Sequence, residues 1–246
     1  MKSSRQKKRL IFQLLFFLLF PLTIWYFSPY LIIMGATEGI ATGSFFTFIG
    51  LFVSALFFGR FFCSWICPVG FLGDTLIRIN DKTVGKRLKY TKYFVWVPWL
   101  AVIVYFFIKT GGIRTINVLY MTDTGISVKQ PEDYFIYYTV IGLFFILPLL
   151  LGRRGACHTV CWMAPFMILG RKISIIFKWP ALRLSADKPE CVQCGRCTQN
   201  CPMSLDVMAR VQDGKLENAD CIQCGVCVDT CPKGVLSLRF GRTERK

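Results

Sequence analysis

The 246 residues carry 30 Lys and Arg against 14 Asp and Glu, a formal net charge of +16, and 54% of them are hydrophobic. The single histidine excludes a bis-histidine haem built by this chain alone. So basic a chain also suits a nucleic-acid partner, but the basic residues border apolar stretches instead of lining one soluble face, which sets nucleic acid aside.

Residues 1–9 form a basic N-terminus with Lys2, Arg5, Lys7, Lys8 and Arg9. Four uncharged stretches follow, at 10–37, 39–59, 93–108 and 134–152, each close to the ~20 apolar residues that cross a bilayer as a helix. Pro21 and Pro98 fall inside two of them, which helices in lipid tolerate. The first stretch exceeds a signal peptide's apolar region and no small-residue cleavage site follows, so it is expected to remain as a first helix. Seven basic residues from Arg60 to Lys92, Lys86 among them, separate the second stretch from the third, and Arg153, Arg154, Arg171 and Lys172 follow the fourth. The two remaining loops are poorer in Lys and Arg. The positive-inside rule therefore places both termini in the cytoplasm and the protein, multi-pass, in the cell (inner) membrane with lipid around it. No stretch carries a charge near its middle, which argues against proton pumping by this chain alone.

Two cysteine pairs sit at matching places. Cys63 and Cys67 follow the second stretch, Cys157 and Cys161 the fourth, each as C-x3-C just after Gly-Arg. Two helices and a cysteine pair thus occur twice in the same orientation, a parallel repeat. A C-x3-C spacing puts both sulfurs on one helix face. The four thiolates suffice for a [4Fe–4S] cluster, and they also suit dithiol redox chemistry or transient metal binding. His158, inside the second pair, reads as an interfacial residue hydrogen-bonded to backbone; ligation and proton acceptance are its other options. Trp65 and Trp162 beside the pairs read as members of the aromatic belt, a role compatible with shielding a cluster.

Residues 165–184 are expected to form an interfacial amphipathic segment and linker. The remaining residues, 185–246, hold C-x2-C-x2-C-x3-C-P twice: Cys191, Cys194, Cys197 and Cys201, then Cys221, Cys224, Cys227 and Cys231. This is the spacing of a two-cluster ferredoxin, in which the fourth cysteine of each run ligates the other cluster. One [4Fe–4S] cluster is assigned to Cys191, Cys194, Cys197 and Cys231, the second to Cys221, Cys224, Cys227 and Cys201. Zinc prefers two separated ligand pairs, which these runs do not resemble. The expected fold is mainly α: a four-helix transmembrane bundle over 10–164, made of two parallel two-helix repeats, with a cytoplasmic ferredoxin-like α+β domain.

The stretch from Phe62 to Pro68 and the two ferredoxin runs together resemble NapH, the membrane iron–sulfur subunit of periplasmic nitrate reductase systems, over nearly the whole chain. In that family Pro directly follows both C-x3-C pairs; here Trp162, Met163 and Ala164 intervene before Pro165. The resemblance implies electron transfer from a quinol toward a terminal reductase through a partner iron–sulfur or cytochrome protein, the chain being a redox subunit of a quinol dehydrogenase. It gives the metal-ligand role to Cys63, Cys67, Cys157, Cys161 and the eight ferredoxin cysteines. An assembly or metal-handling factor and a redox sensor, both using the C-x3-C pairs, are the alternatives from other classes.

Overall fold

The computed structural model describes residues 4–85, 87–122 and 124–242; Lys2 and Lys86, counted above among the basic residues, lie outside them. Helix α1 (Ser4–Leu18) stops just before Pro21, whose ring cannot donate to the helical ladder. The chain bends by 59° into α2 (Phe20–Thr23) and a 3-10 turn (Ile24–Phe27). Ser28 is extended because Pro29 follows it, and Pro29 opens a separate helix, α3 (Pro29–Glu38). The first apolar stretch, expected as one span, is thus broken at both prolines. Hydropathy registers the apolar run, but ring sterics choose the path.

Strand β1 (Ile40–Thr42) leads into α4 (Gly43–Phe58), capped by the Thr42 hydroxyl, which accepts from the Phe45 amide at 3.4 Å. Short helices α5 (Phe61–Trp65) and α6 (Pro68–Leu76) follow, then α7 (Thr91–Lys109) and β2 (Thr115–Asn117). β2 lies parallel to β1, with Ile40 opposite Thr115 and Thr42 opposite Asn117. Helix α8 (Pro131–Leu151) starts in a capping box between Gln130 and Asp133. Then come α9 (Gly155–Thr159) and α10 (Ala164–Ile176). Two helical stretches, Arg87–Lys109 and Pro131–Leu151, are long and apolar enough to cross a membrane, and they associate the chain with one. The bent α1–α2 unit passes the same test only if taken as one span, and α4, at 16 residues, is shorter than ~20.

The helices after the C-x3-C pairs pack reciprocally. α6 lies against α1 and α8, and α10 against α4 and α7. α10 is therefore packed along one side against other helices, with Leu169 and Ile176 exposed on the other. Ala164, Met167, Ile168, Gly170, Arg171 and Ser174 of α10 are buried. A Cβ on Gly170 would stand 2.6 Å from the Phe52 carbonyl oxygen, so the glycine is what lets α10 close on α4. The polar side that suggested a water-facing helix is satisfied elsewhere: Arg171 is ion-paired at 2.7 Å to Glu217.

Past α10, β3 (Ala181–Ala186) enters a small unit holding α11 (Arg196–Gln199), α12 (Val207–Gln212) and α13 (Val226–Thr230) before β4 (Leu236–Gly241) closes it. β3 and β4 are antiparallel, Ala181 opposite Gly241 and Ala186 opposite Leu236.

Both α4 and α8 end on a glycine at positive φ, Gly59 at 60° and Gly152 at 92°. At Gly152, ψ is −151°, backbone open essentially to glycine alone, and a Cβ there would collide with the Lys82 carbonyl oxygen. Gly152→Ala is expected to cost at least ~1–3 kcal/mol, seen as a lower thermal midpoint in detergent; an unchanged midpoint would show that the α8–α9 junction does not need this conformation.

Candidate metal centres

The two ferredoxin runs adopt the same backbone. Gln193 and Gly195 in the first, Gln223 and Gly225 in the second, take left-handed conformations with φ between 52° and 73°. Each glycine opens the helix that carries the third cysteine, α11 or α13. Alternating handedness curls each loop around a centre, as sequence spacing alone anticipates.

The loops surround two cavities. One is lined by Cys201, Cys221, Cys224 and Cys227 together with Leu205, Ile222 and Leu238. The other is lined by Cys191, Cys194, Cys197 and Cys231 with Val211 and Val235. In each, three cysteines of one run meet the fourth of the other. The donor set of four thiols in an apolar shell fits a cubane cluster. Among the described residues no three His, Cys, Asp or Glu side chains converge tightly enough to hold a single ion.

The runs differ sharply in surroundings. Val192 is 57% exposed, whereas Ile222 at the same place in the second run is 1% exposed. Cys194 is exposed and Cys224 buried. The cause is docking against the basic end of the helices. Gln6 Nε2 donates to the Cys224 carbonyl at 3.1 Å, Arg153 Nη1 to the Cys201 carbonyl at 3.3 Å, and Lys89 Nζ to the Ser204 carbonyl at 3.2 Å. These groups surround the set of Cys201, Cys221, Cys224 and Cys227, hereafter the proximal set. The set of Cys191, Cys194, Cys197 and Cys231 is distal.

Cys63, Cys67, Cys157 and Cys161 are all buried, and every one lies within electrostatic reach of the other three. Burial pushes the Cys161 thiol up to about 12 and raises those of Cys67 and Cys157, so these thiols stay protonated unless a bound metal displaces their protons. The Cys63 thiol stands 3.5 Å from Met167 Sδ. A cavity beside Pro68 and Trp162, the residues that follow Cys67 and Cys161, is walled by them with Phe27, Phe144 and Met163. Trp162 is held on two sides. Its Nε1 donates to the Phe27 carbonyl at 2.9 Å and its ring meets Phe144 edge-on at 5.6 Å. Trp65 stacks on Phe61 at 5.2 Å.

Two arginines, each three residues before the first cysteine of its pair, flank this set without solvent exposure. Arg154 makes a bidentate pair with Asp74 (2.7 and 2.6 Å) and donates to the Cys63 carbonyl at 2.8 Å; Arg9 Nη1 also reaches Asp74 at 2.7 Å. Arg60 Nη2 stands 4.0 Å from Cys63 Sγ, with Asp220 at 3.6 Å on its other side. Burial raises the Asp74 carboxyl, but Arg154 and Arg9 more than reverse this and hold it below the ordinary range. Arg60 Nε and both ring nitrogens of His158 have no partner among the described residues. Buried donors left open beside four thiols fit a net-negative thiolate-ligated cluster.

His158 therefore differs from its expected backbone-bonded, interfacial role. The α9 turn carries it fully inside, where burial, then Lys89, Lys92 and Arg60, push it down to about 3, so it is neutral. Sequence reading noted Gly-Arg before each pair but missed Asp74, Arg9 and Asp220. The available signal was the equal offset of Arg60 and Arg154 from their cysteines, which demands two buried anions. Asp74→Asn removes the carboxylate shared by two buried arginines and is expected to cost ~3–5 kcal/mol, read as loss of folded protein or a large drop in thermal midpoint; a midpoint within experimental scatter would show that the pair is not buried as described.

Comparison with known proteins agrees with the chemistry. A family described as a 4Fe-4S binding domain matches residues 40–87, and one described as a 4Fe-4S dicluster domain matches 190–236. The methylamine utilization ferredoxin-type protein MauN of Methylorubrum extorquens is 29% identical over 147 residues, 58% of this chain and 47% of that protein. The putative electron transport protein YccM of Escherichia coli is 22% identical over 191 residues, 74% of this chain and 52% of that protein. An uncharacterized protein of Methanocaldococcus jannaschii is 27% identical over 171 residues, 65% of this chain and 58% of that protein. The chain spans about half the length of the curated relatives it matches. No solved structure matches it. The two 4Fe-4S domains support two [4Fe–4S] clusters as cofactors, and the chain is similar to proteins named for ferredoxin-type chemistry and electron transport.

Proposed function

We propose that this chain is the membrane-anchored iron–sulfur subunit of a quinol dehydrogenase-type complex of the NapH kind, working between the quinone pool and a partner redox protein. One observation supports the reading: twelve cysteines fall into three sets of four, and Arg154 lies within electrostatic reach of both Cys157 and Cys224. The rim set, Cys63, Cys67, Cys157 and Cys161, sits where the long helices end. The proximal set is held against it by the basic end of the helices, and the distal set faces outward.

Cys221, Cys224, Cys227 and Cys201 hold the proximal cluster, Cys191, Cys194, Cys197 and Cys231 the distal one, and the rim cysteines a third. Bound there, the clusters supply one-electron relay between sites. The chain's own contribution is burial and orientation: Trp162, Met163 and Phe27 cover the rim set on the apolar side, while Arg60 and Arg154 balance its charge. All four apolar stretches cross the membrane in this reading, with both termini cytoplasmic. The match of a 4Fe-4S binding family over Cys63 and Cys67 supports the third cluster, and the electron-transport relatives support the role.

The test is iron and acid-labile sulfide on anaerobically purified protein. About twelve irons per chain are expected, from three [4Fe–4S] centres. About eight would confine clusters to the ferredoxin unit and sink the series. In the same preparation, Cys63→Ser and Cys157→Ser should each abolish one and the same paramagnetic signal while leaving the ferredoxin signals. Two independent losses would count against a shared rim site.

A further inference from the structure

The charges around the rim set form two triads, and one of them is completed from the ferredoxin unit. In the first, Asp74 on α6 sits between Arg154 and Arg9 of α1. In the second, Asp220 sits between Arg60 and Lys92 of α7, at 3.6 Å and 3.0 Å. The arginines hold equal positions before their cysteine pairs, and α10 follows the second pair as α6 follows the first. Yet α10 has no carboxylate; its charged residues are Arg171 and Lys172. The missing anion comes from Asp220, the residue directly before Cys221 of the proximal set. Its backbone carbonyl also accepts from Arg60 Nη1 at 3.3 Å. One residue thus touches the guanidinium beside Cys63 Sγ and anchors the loop that begins with Cys221.

We propose that Asp220 is a positioning residue that locks the proximal set onto the rim set and, by neutralising Arg60 and Lys92, sets the rim cluster's reduction potential. This rests on the rim cysteines holding a cluster. Arg60 and Lys92 are both buried, so the charge left when their shared carboxylate is lost is poorly screened. Uncompensated positive charge favours the reduced, more negative form of a nearby cluster. Lys92→Gln acts in the opposite sense, because it removes positive charge while Asp220 stays on Arg60.

The experiment is a mediated redox titration of the full-length protein in detergent, reading the rim signal by low-temperature paramagnetic resonance with iron content measured on each sample. Asp220→Asn is expected to raise the ratio of reduced to oxidised rim signal several-fold at fixed ambient potential. It should also weaken the spin coupling between rim and proximal centres. Asp220→Glu should restore both, and Lys92→Gln should lower the ratio. Glu217→Gln is the control. It breaks the pairs to Arg171 and Arg183 (2.7 and 2.6 Å), and it should move the rim potential less than Asp220→Asn does, because Arg171 acts on Cys221 of the proximal set whereas Arg60 stands beside Cys63. Equal shifts from Asp220→Asn and Glu217→Gln would reduce Asp220 to one docking contact among several and overturn the assignment. So would an Asp220→Asn protein with full iron and an unmoved rim signal. If Asp220→Asn does not fold, Lys92→Gln decides alone: a ratio unchanged or raised overturns the proposal. A wild-type protein with about eight irons and no rim signal instead removes the rim cluster, and both readings fall at that earlier step.

Discussion

Burial of positive charge is the constraint on which the arrangement depends. Arg60 and Arg154 lie without solvent exposure beside four buried cysteines. Removing a guanidinium from water costs several kcal/mol even after relaxation, so each must meet an anion in good geometry. Asp74 answers for Arg154 from within the helical part, through two short hydrogen bonds. Arg60 has no such neighbour on its own side and is answered by Asp220 from across the junction. The ferredoxin unit is therefore held to the helices by the same electrostatics that shape the cysteine site. Glu217, shared by Arg171 and Arg183, adds a second latch beside the first.

That docking explains why two nearly identical cysteine runs behave differently. Cys-x2-Cys-x2-Cys dictates the loop, and both loops show the same left-handed residues at the same places. Nothing local distinguishes Ile222 from Val192. The difference arises only because Asp220, Cys224 and Cys201 lie where Arg60, Gln6 and Arg153 can reach them. One covered and one open cysteine set follow from placing a symmetric unit on an asymmetric seat.

The sequence was legible where causes are local. Cysteine spacing and the glycine inside each run anticipated the common loop, because its left-handed residues are set locally. The apolar runs announced α7 and α8. Reading failed where distant partners decide. The run 10–37 looked continuous although Pro21 and Pro29 divide it, since hydropathy ignores ring geometry. In residues 165–176 Arg171 and Lys172 suggest water, yet Arg171 faces Glu217 of the following unit. His158 and Trp162 were given border roles by position; the α9 turn buries His158, and the chain dips after Cys161 so that Trp162 bridges α8 and the 3-10 turn ending at Phe27.

This dip shows what the extra residues before Pro165 do. In the first half, Pro68 opens α6 directly after Cys67. In the second, Trp162 and Met163 are inserted before α10, and they reach the level of Phe144, which is seven residues, or ~10 Å of helix rise, short of the α8 end at Leu151. Those two side chains and Phe27 line one cavity, and the Trp162 hydrogen bond to the Phe27 carbonyl ties it to the turn just before Pro29 in the broken first stretch. The broken first helix and the departure from C-x3-C-P are thus two halves of one contact. Their combined effect is to separate the thiols from the apolar surroundings of the long helices while leaving the arginine side open to the ferredoxin unit. A cluster in that position would be dry on one face and charged on the other, the condition under which hydrogen bonds and nearby charges act most strongly on its potential.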